Sequence, residues 1–219
     1  MNKRISFIIV VCVLLIGWND RSALSKVNMQ VHRDTTDIVK IPIDIDESNV
    51  NWRGTEMWGS SSHEGTINLN EGYLEISEGL LSGGYFQIDM HSITVTDIPK
   101  SDPIPRRNLT EHLKSEDFFL VEKYPTAEFN ITDTRSIEEN SIKVTGDLTI
   151  RDVSRPISFT ALQDQEDDSV LTFQAIISIN RFDWNISYQG GYLERLSSIL
   201  DNNLVDEEIV ISVQIVTKN

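Results

Sequence analysis

The chain has 219 residues, 39% of them hydrophobic and 8% aromatic, with 19 Lys plus Arg against 34 Asp plus Glu. That apolar content is too high for a disordered chain, and it is scattered rather than gathered into spans of about 20 residues that would cross a bilayer. A net charge of −15 argues against any nucleic-acid partner, because binding to a phosphate backbone rests on Lys and Arg displacing counterions.

Residues 1–4 carry Lys3 and Arg4, residues 5–17 are apolar, and Ala23-Leu24-Ser25 supplies small residues before a cut. These are the charged, apolar and cleavage regions of a secretory signal peptide, so residues 1–25 are expected to be removed and the protein to be periplasmic or secreted. The alternative is an uncleaved N-terminal membrane anchor with Trp18 at the interface. Cys12, the single cysteine, leaves with the segment, which takes disulfides, Cys-based metal sites and thiolate catalysis out of the mature protein. Cutting after Ser25 removes Lys3, Arg4 and Arg21 but only Asp20, so −15 becomes −17. Residues 26–39 are polar without a period and read as a linker; a single domain follows over residues 40–219.

Strand signals begin there. Ile41, Ile43 and Ile45 alternate with polar neighbours, as do Phe86, Ile88 and Met90, then Ala127, Phe129 and Ile131. Period two means one buried and one wet face. The pattern returns at Ile142, Val144, Leu148 and Ile150, at Ile157 and Phe159, at Leu171 and Phe173, and at Ile209, Ile211, Val213 and Ile215. Asn70-Glu71-Gly72, Glu78-Gly79, Ser82-Gly83-Gly84 and the acidic stretch 164–169 read as the turns between them. Two segments break the rhythm. Asn108 with Glu111 three residues on forms a capping-box pattern that opens a helix through Leu109, His112 and Leu113 toward Phe119, and Pro125 ends any helical structure beyond it. Leu193, Leu196, Ile199 and Leu200 then share one face of a second helix. Many short amphipathic strands with one or two short helices predict an all-β antiparallel barrel or sandwich.

No catalytic constellation stands out. His32, His63, His91 and His112 lie in four segments without metal-ligand spacing, so neither a metal nor a cofactor is expected. His63 alone has a position, before Gly65, from which it could point into a barrel mouth. Among so many carboxylates, Asp183 with Glu194 or Asp147 with Asp152 could converge as a hydrolytic pair, though solvated acidic faces explain them as well.

The runs HLKSEDFFLVEKYP (112–125), AEFNIT (127–132), VTGDLTIRDVSRPISF (144–159) and INR (179–181) together resemble the signature of the YceI-like family, exported polyisoprenoid- or lipid-binding proteins with a lipocalin-like antiparallel β-barrel. The resemblance spans roughly residues 40–218, and GGYFQIDMHSITVTD (83–97) is similar to the Bacteroidetes-type branch. It implies a barrel of about eight strands whose interior holds an isoprenoid or other apolar lipid without catalysis, for carriage, storage or sequestration. Phe86, Ile88, Phe129, Leu148, Ile150, Phe159, Phe173, Ile211 and Val213 are the candidates to line it, with Trp184 at the wall where it would shorten the cavity. His63 and Arg181 would stand at the mouth, and the helix bearing Leu193 and Leu196 would be a lid. A pyrophosphate headgroup would need Arg106-Arg107 or the Arg151/Arg155 turn at that mouth; the acidity of the chain favours a neutral, quinone-like isoprenoid. Release could involve a transient membrane or envelope-protein partner.

Overall fold

The structure, a computed structural model, describes residues 37–56, 62–167, 170–187 and 205–218. The segments read as signal peptide and as the lid helix with Leu193 and Leu196 lie outside the described residues. Among the described residues nine strands form one antiparallel sheet: β1 Ile38–Pro42, β2 Asn49–Glu56, β3 Ser62–Ser77, β4 Leu80–Val95, β5 Thr126–Glu138, β6 Ser141–Ile150, β7 Val153–Asp167, β8 Val170–Asn180 and β9 Val205–Val216. One α-helix, α1 Pro103–Lys114, connects β4 to β5.

Each strand from β2 to β9 pairs with the next, and β9 returns to pair with β2, so the sheet closes on itself. β1 and β2 share one edge of the long β3, β1 from Ile38↔Ser77 to Pro42↔Tyr73 and β2 from Val50↔Ile67 to Thr55↔Ser62. They are one barrel stave interrupted by a bend, and the described residues form the expected all-β barrel of eight staves, with one α-helix among them. Ile45 leaves the alternation at that bend: the Asp44 carboxylate accepts the Asp46 N–H at 3.1 Å, a local turn that competes with continued pairing. β1 begins at Ile38, inside the stretch read as linker, because Ile38 and Val39 pair with Ser77 and Ile76.

The barrel has two unlike poles. At one, tight hairpins join β3 to β4 and β5 to β6, and on the same side the end of β9 meets the end of β1: the Lys218 N–H donates to the Pro42 carbonyl at 2.9 Å, and Ile43 bridges Thr217. Glu78 and Gly79, at φ 53° and 78°, make the β3–β4 turn of the kind that matches strand twist. At the other pole lie α1, the β6–β7 turn at Arg151 and Asp152, and a 3₁₀ turn, Arg181–Trp184, after β8.

Two expected turns are strand interior. Asn70-Glu71-Gly72 falls inside β3, where the register slips against β4 between Leu69 and Glu71, a bulge rather than a reversal. Ser82-Gly83-Gly84 falls inside β4. A Cβ at Gly84 would stand 2.9 Å from the Tyr73 carbonyl and 3.2 Å from Ile131 Cδ1, so glycine serves close packing between strands. The chain-reversing turn expected over residues 151–156 is only Arg151-Asp152, since β7 pairs with β6 from Val153 on.

The helix also starts earlier than the capping-box pattern predicts. Pro103 takes the first helical position, where its fixed φ suits the turn and its missing N–H costs nothing, which leaves Asn108 mid-helix. It stops at Ser115, not Phe119. The Ser115 hydroxyl bonds the His112 carbonyl at 2.8 Å and accepts the Asp117 N–H at 3.3 Å, which turns the chain out of the helix. Leu113 of α1 then packs on Ile93 and Val95 of β4 at this pole.

Candidate ligand cavity

Alternation decides what faces inward. β6 is the plainest case: Ile142, Val144, Gly146, Leu148 and Ile150 are buried while Lys143 and Asp147 are exposed. The same rule around the barrel encloses a cavity of about 440 Å³, within the range of small-molecule sites. Phe86, Phe129 and Phe159 form an aromatic strip across β4, β5 and β7, with centroids 6.4 Å and 5.6 Å apart. Ile88, Leu148 and Ile150 stand on the wall beside them, and Phe173, Ile211 and Val213 line it from β8 and β9. All of these are positions singled out from the sequence.

The polar lining is gathered almost wholly at the helix pole. His63, His112, Arg181, Asp206 and Glu208 ring the opening. His63 Nδ1 lies 2.8 Å from Asp97 Oδ2, and Asp97 Oδ1 accepts the Glu64 N–H at 3.1 Å. Burial pushes the Asp97 carboxyl up, but the His63 ring and the Glu64 N–H outweigh it and hold the group below the usual carboxylate range. Ser178 Oγ bonds the Glu208 carboxylate on the outer side of the rim.

Arg181 is 1% exposed. Its Nε donates to the Asp206 carbonyl at 3.1 Å, its Nη1 donates to the Ile186 carbonyl at 2.9 Å, and its guanidinium stacks 4.1 Å over the Phe182 ring. Burial pushes its pKa down, opposed by the Glu207 and Asp206 carboxylates. The residue therefore ties the exit of β8 to the start of β9 at the edge of the cavity.

Trp184 is placed differently from the expectation. It is 1% exposed but does not line the cavity. Asn180 Oδ1 caps the 3₁₀ turn by accepting the Phe182 N–H, and Asn185 closes it in the left-handed region. This turn carries Trp184 to where the β7–β8 ladder, running from Asp167↔Val170 to Ala161↔Ala175, has ended and the strands part. There its indole N–H donates to the Leu148 carbonyl at 3.0 Å. Trp184 fills a split in the wall and does not shorten the cavity.

The arginines considered for a headgroup hold backbone instead. Arg151 Nη1 donates to the Phe118 carbonyl at 2.8 Å and the Asn185 carbonyl at 3.0 Å, and Arg155 Nε donates to the Asp183 carbonyl at 3.1 Å. Arg106 and Arg107 sit on α1, and neither lines the cavity. Of the carboxylates weighed as a hydrolytic pair, Asp147, Asp152 and Asp183 are exposed and do not line the cavity, and Glu194 lies outside the described residues.

Sequence reasoning missed the wall contributed by β2 and β3. Val50, Trp52, Ile67 and Leu69 all face the cavity. The signal was present, since Val50, Trp52 and Gly54 alternate with Asn51 and Arg53. It also missed Phe118 and Phe119, which reach the opening from the turn after α1. His112 is held there by an edge contact to Phe118, with Nδ1 3.6 Å from Asp117 Oδ2. A wall of hydrocarbon with polar groups at one pole can bind an apolar chain by burial, at about 25 cal/mol per Å², and gives its polar end a place at the rim.

The pattern of the YceI-like domain family matches residues 42–217. A UPF0312 protein of Pseudomonas putida strain W619 is 34% identical over 91 residues, 39% of this chain and 47% of that protein. One from Photorhabdus laumondii is 43% identical over 51 residues, 23% and 26% of the two chains. The chain thus spans about half or less of the length of the curated relatives it matches. Among solved structures, Burkholderia cenocepacia BcnA superposes with a TM-score of 0.65 at 19% identity, covering 80% of this chain and 99% of that one. A domain of Saccharophagus degradans described as polyisoprenoid binding gives 0.59 at 12% identity, covering 83% and 99%. These two likenesses concern the fold.

Proposed function

This chain belongs to the YceI-like family, and from that membership we propose that it binds a single isoprenoid or other apolar lipid inside its barrel, for carriage or sequestration, without transforming it. The observation that carries the proposal is the segregation of the cavity: aromatic and aliphatic walls within, and His63, His112, Arg181, Asp206 and Glu208 at the opening. The fold shared with a domain described as polyisoprenoid binding supports the same class of ligand. The ligand's polar end is neutral or weakly charged, as in a quinone-like lipid. Arg151 and Arg155 are engaged with backbone carbonyls and neither lines the cavity, and the acidity of the chain as a whole opposes a pyrophosphate. Binding takes place in the periplasm or outside the cell, after cleavage of residues 1–25.

Native mass spectrometry of the purified protein, with solvent extraction of what it carries, tests the reading. A co-purifying long-chain lipid in one-to-one ratio is expected. A protein that is empty and fails to take up added isoprenoid would sink it. N-terminal sequencing tests the export step, with a mature chain starting at Lys26 expected.

A further inference from the structure

Glycine inside a strand weakens it, and its use there marks a bulge, the close approach of another backbone, or the close approach of a ligand. Among the described strand glycines, Gly84 and Gly65 sit against the Tyr73 and Thr94 carbonyls, and a Cβ at the inward Gly146 would stand 2.6 Å from the Phe129 ring. Gly54 of β2 differs. Beyond its two chain neighbours, no atom of a described residue comes within 4 Å of where its Cβ would stand. Nor does the backbone ask for glycine: φ is not in the left-handed region, so the slip in pairing with β9 between Gly54 and Glu56 is open to any residue. Gly54 lines the cavity on the same face of β2 as Trp52. It stands directly opposite His63 on β3 and Ile209 on β9, and residues so paired share a face. Both line the cavity too. The missing side chain therefore leaves a notch at the opening, between an imidazole and an isoleucine, with Trp52 the next side chain on that face of the strand.

We propose that Gly54 sets the size of the end group admitted at the cavity opening: the notch receives a ring-sized end of the lipid, and a side chain at this position would leave room for a slender end alone. A ring seated there meets Trp52, Ile209 and the His63 imidazole, and buries apolar area that a methyl end does not. Glycine costs β2 some strand stability, and the room it leaves is what a bulky end group uses. This inference rests on the lipid-binding reading proposed for the cavity.

The test uses two probes that share a geranyl tail and an ether oxygen and differ only in the end group, geranyl benzyl ether and geranyl methyl ether. Each is titrated into wild type and Gly54→Val with tryptophan fluorescence as the signal, and each ligand-free protein is melted. The variant should bind the benzyl ether about tenfold or more weakly and the methyl ether within about twofold of wild type. Its ligand-free Tm should rise by about 2–4 °C, because valine enters open space and replaces a poor strand former. In the wild-type ¹H–¹⁵N spectrum the Gly54 amide, assigned by glycine-selective labelling and its loss in the variant, should move farther with the benzyl ether than with the methyl ether. That comparison is read on wild type and decides the matter even if the variant folds poorly. A lowered Tm, equal changes in affinity for the two probes, or equal movement of the amide overturns the role of Gly54 and leaves the lipid-binding reading standing. Failure of wild type to bind either probe overturns both.

Discussion

Ala161→Leu separates a true cavity from a filled core, because the two give opposite signs. Ala161 is 4% exposed on β7, faces the cavity, and pairs with Ile142 on one side and Ala175 on the other. Leucine adds three carbons. Placed in open apolar space, each buried carbon contributes about 0.8 kcal/mol, offset by about 0.5–1 kcal/mol of lost rotamer freedom. The ligand-free protein should therefore gain about 1–2 kcal/mol. For a domain of this size that is a rise of about 2–8 °C in Tm, at roughly 2–4 °C per kcal/mol. The same leucine occupies ligand space, so isoprenoid affinity should fall as stability rises. Urea unfolding of delipidated protein, with a titration of the folded variant, reads both quantities. A loss of about 1–3 kcal/mol at unchanged m-value is the signature of overpacking and would refute the claim that the barrel interior is open.

Trp184→Phe removes the donor to the Leu148 carbonyl and should cost about 1–2 kcal/mol in urea unfolding, with lipid affinity unchanged because Trp184 does not line the cavity. Arg151→Ala frees the Phe118 and Asn185 carbonyls together; a cost of about 1.5–3 kcal/mol is expected, with faster amide exchange at Val121 and Ile186. For Asp97→Asn the expectation is a change in pH dependence. The folded carboxyl sits below its ordinary 3.8, so its contribution is fully present above that value and is lost as pH falls through the lower folded one. The variant should be less stable at neutral pH by under about 1 kcal/mol, since the pair is part-exposed, and its stability should change less with pH below about 4. Parallel slopes of stability against pH for wild type and variant would contradict the assignment.

The inward face of β4 to β9 was legible because period-two alternation is a local property: Phe86, Phe129, Leu148 and Ile211 can each be oriented from their own neighbours. Turns were harder to read. Glycine marks both chain reversal and close strand approach, and only the tertiary structure separates Gly79, at positive φ, from Gly84, which fits beside the Tyr73 carbonyl. Trp184 was misplaced for a related reason. Its destination depends on where the β7–β8 ladder ends, a long-range fact that no window of sequence contains. The roles of Arg151, Arg155 and Arg181 were hidden likewise, since backbone carbonyls from distant segments consume their donors. Val50 and Trp52 were readable in principle; their alternation is interrupted within a few residues by Gly54, and β2 is short.

The bond from Lys218 to Pro42 has an engineering consequence. It holds the end of β9 against the end of β1, while Ile38 at the start of β1 pairs with Ser77 at the tight-turn pole, away from His63, His112 and Arg181. A linker from residue 218 to residue 37 would run alongside the five residues of β1, roughly 17 Å at about 3.3 Å per residue, and new ends could be cut at the exposed Glu139-Asn140 turn of the same pole. Such a permutant would keep every ladder and leave the opening untouched, so the order of staves along the chain could be changed without changing what enters the barrel.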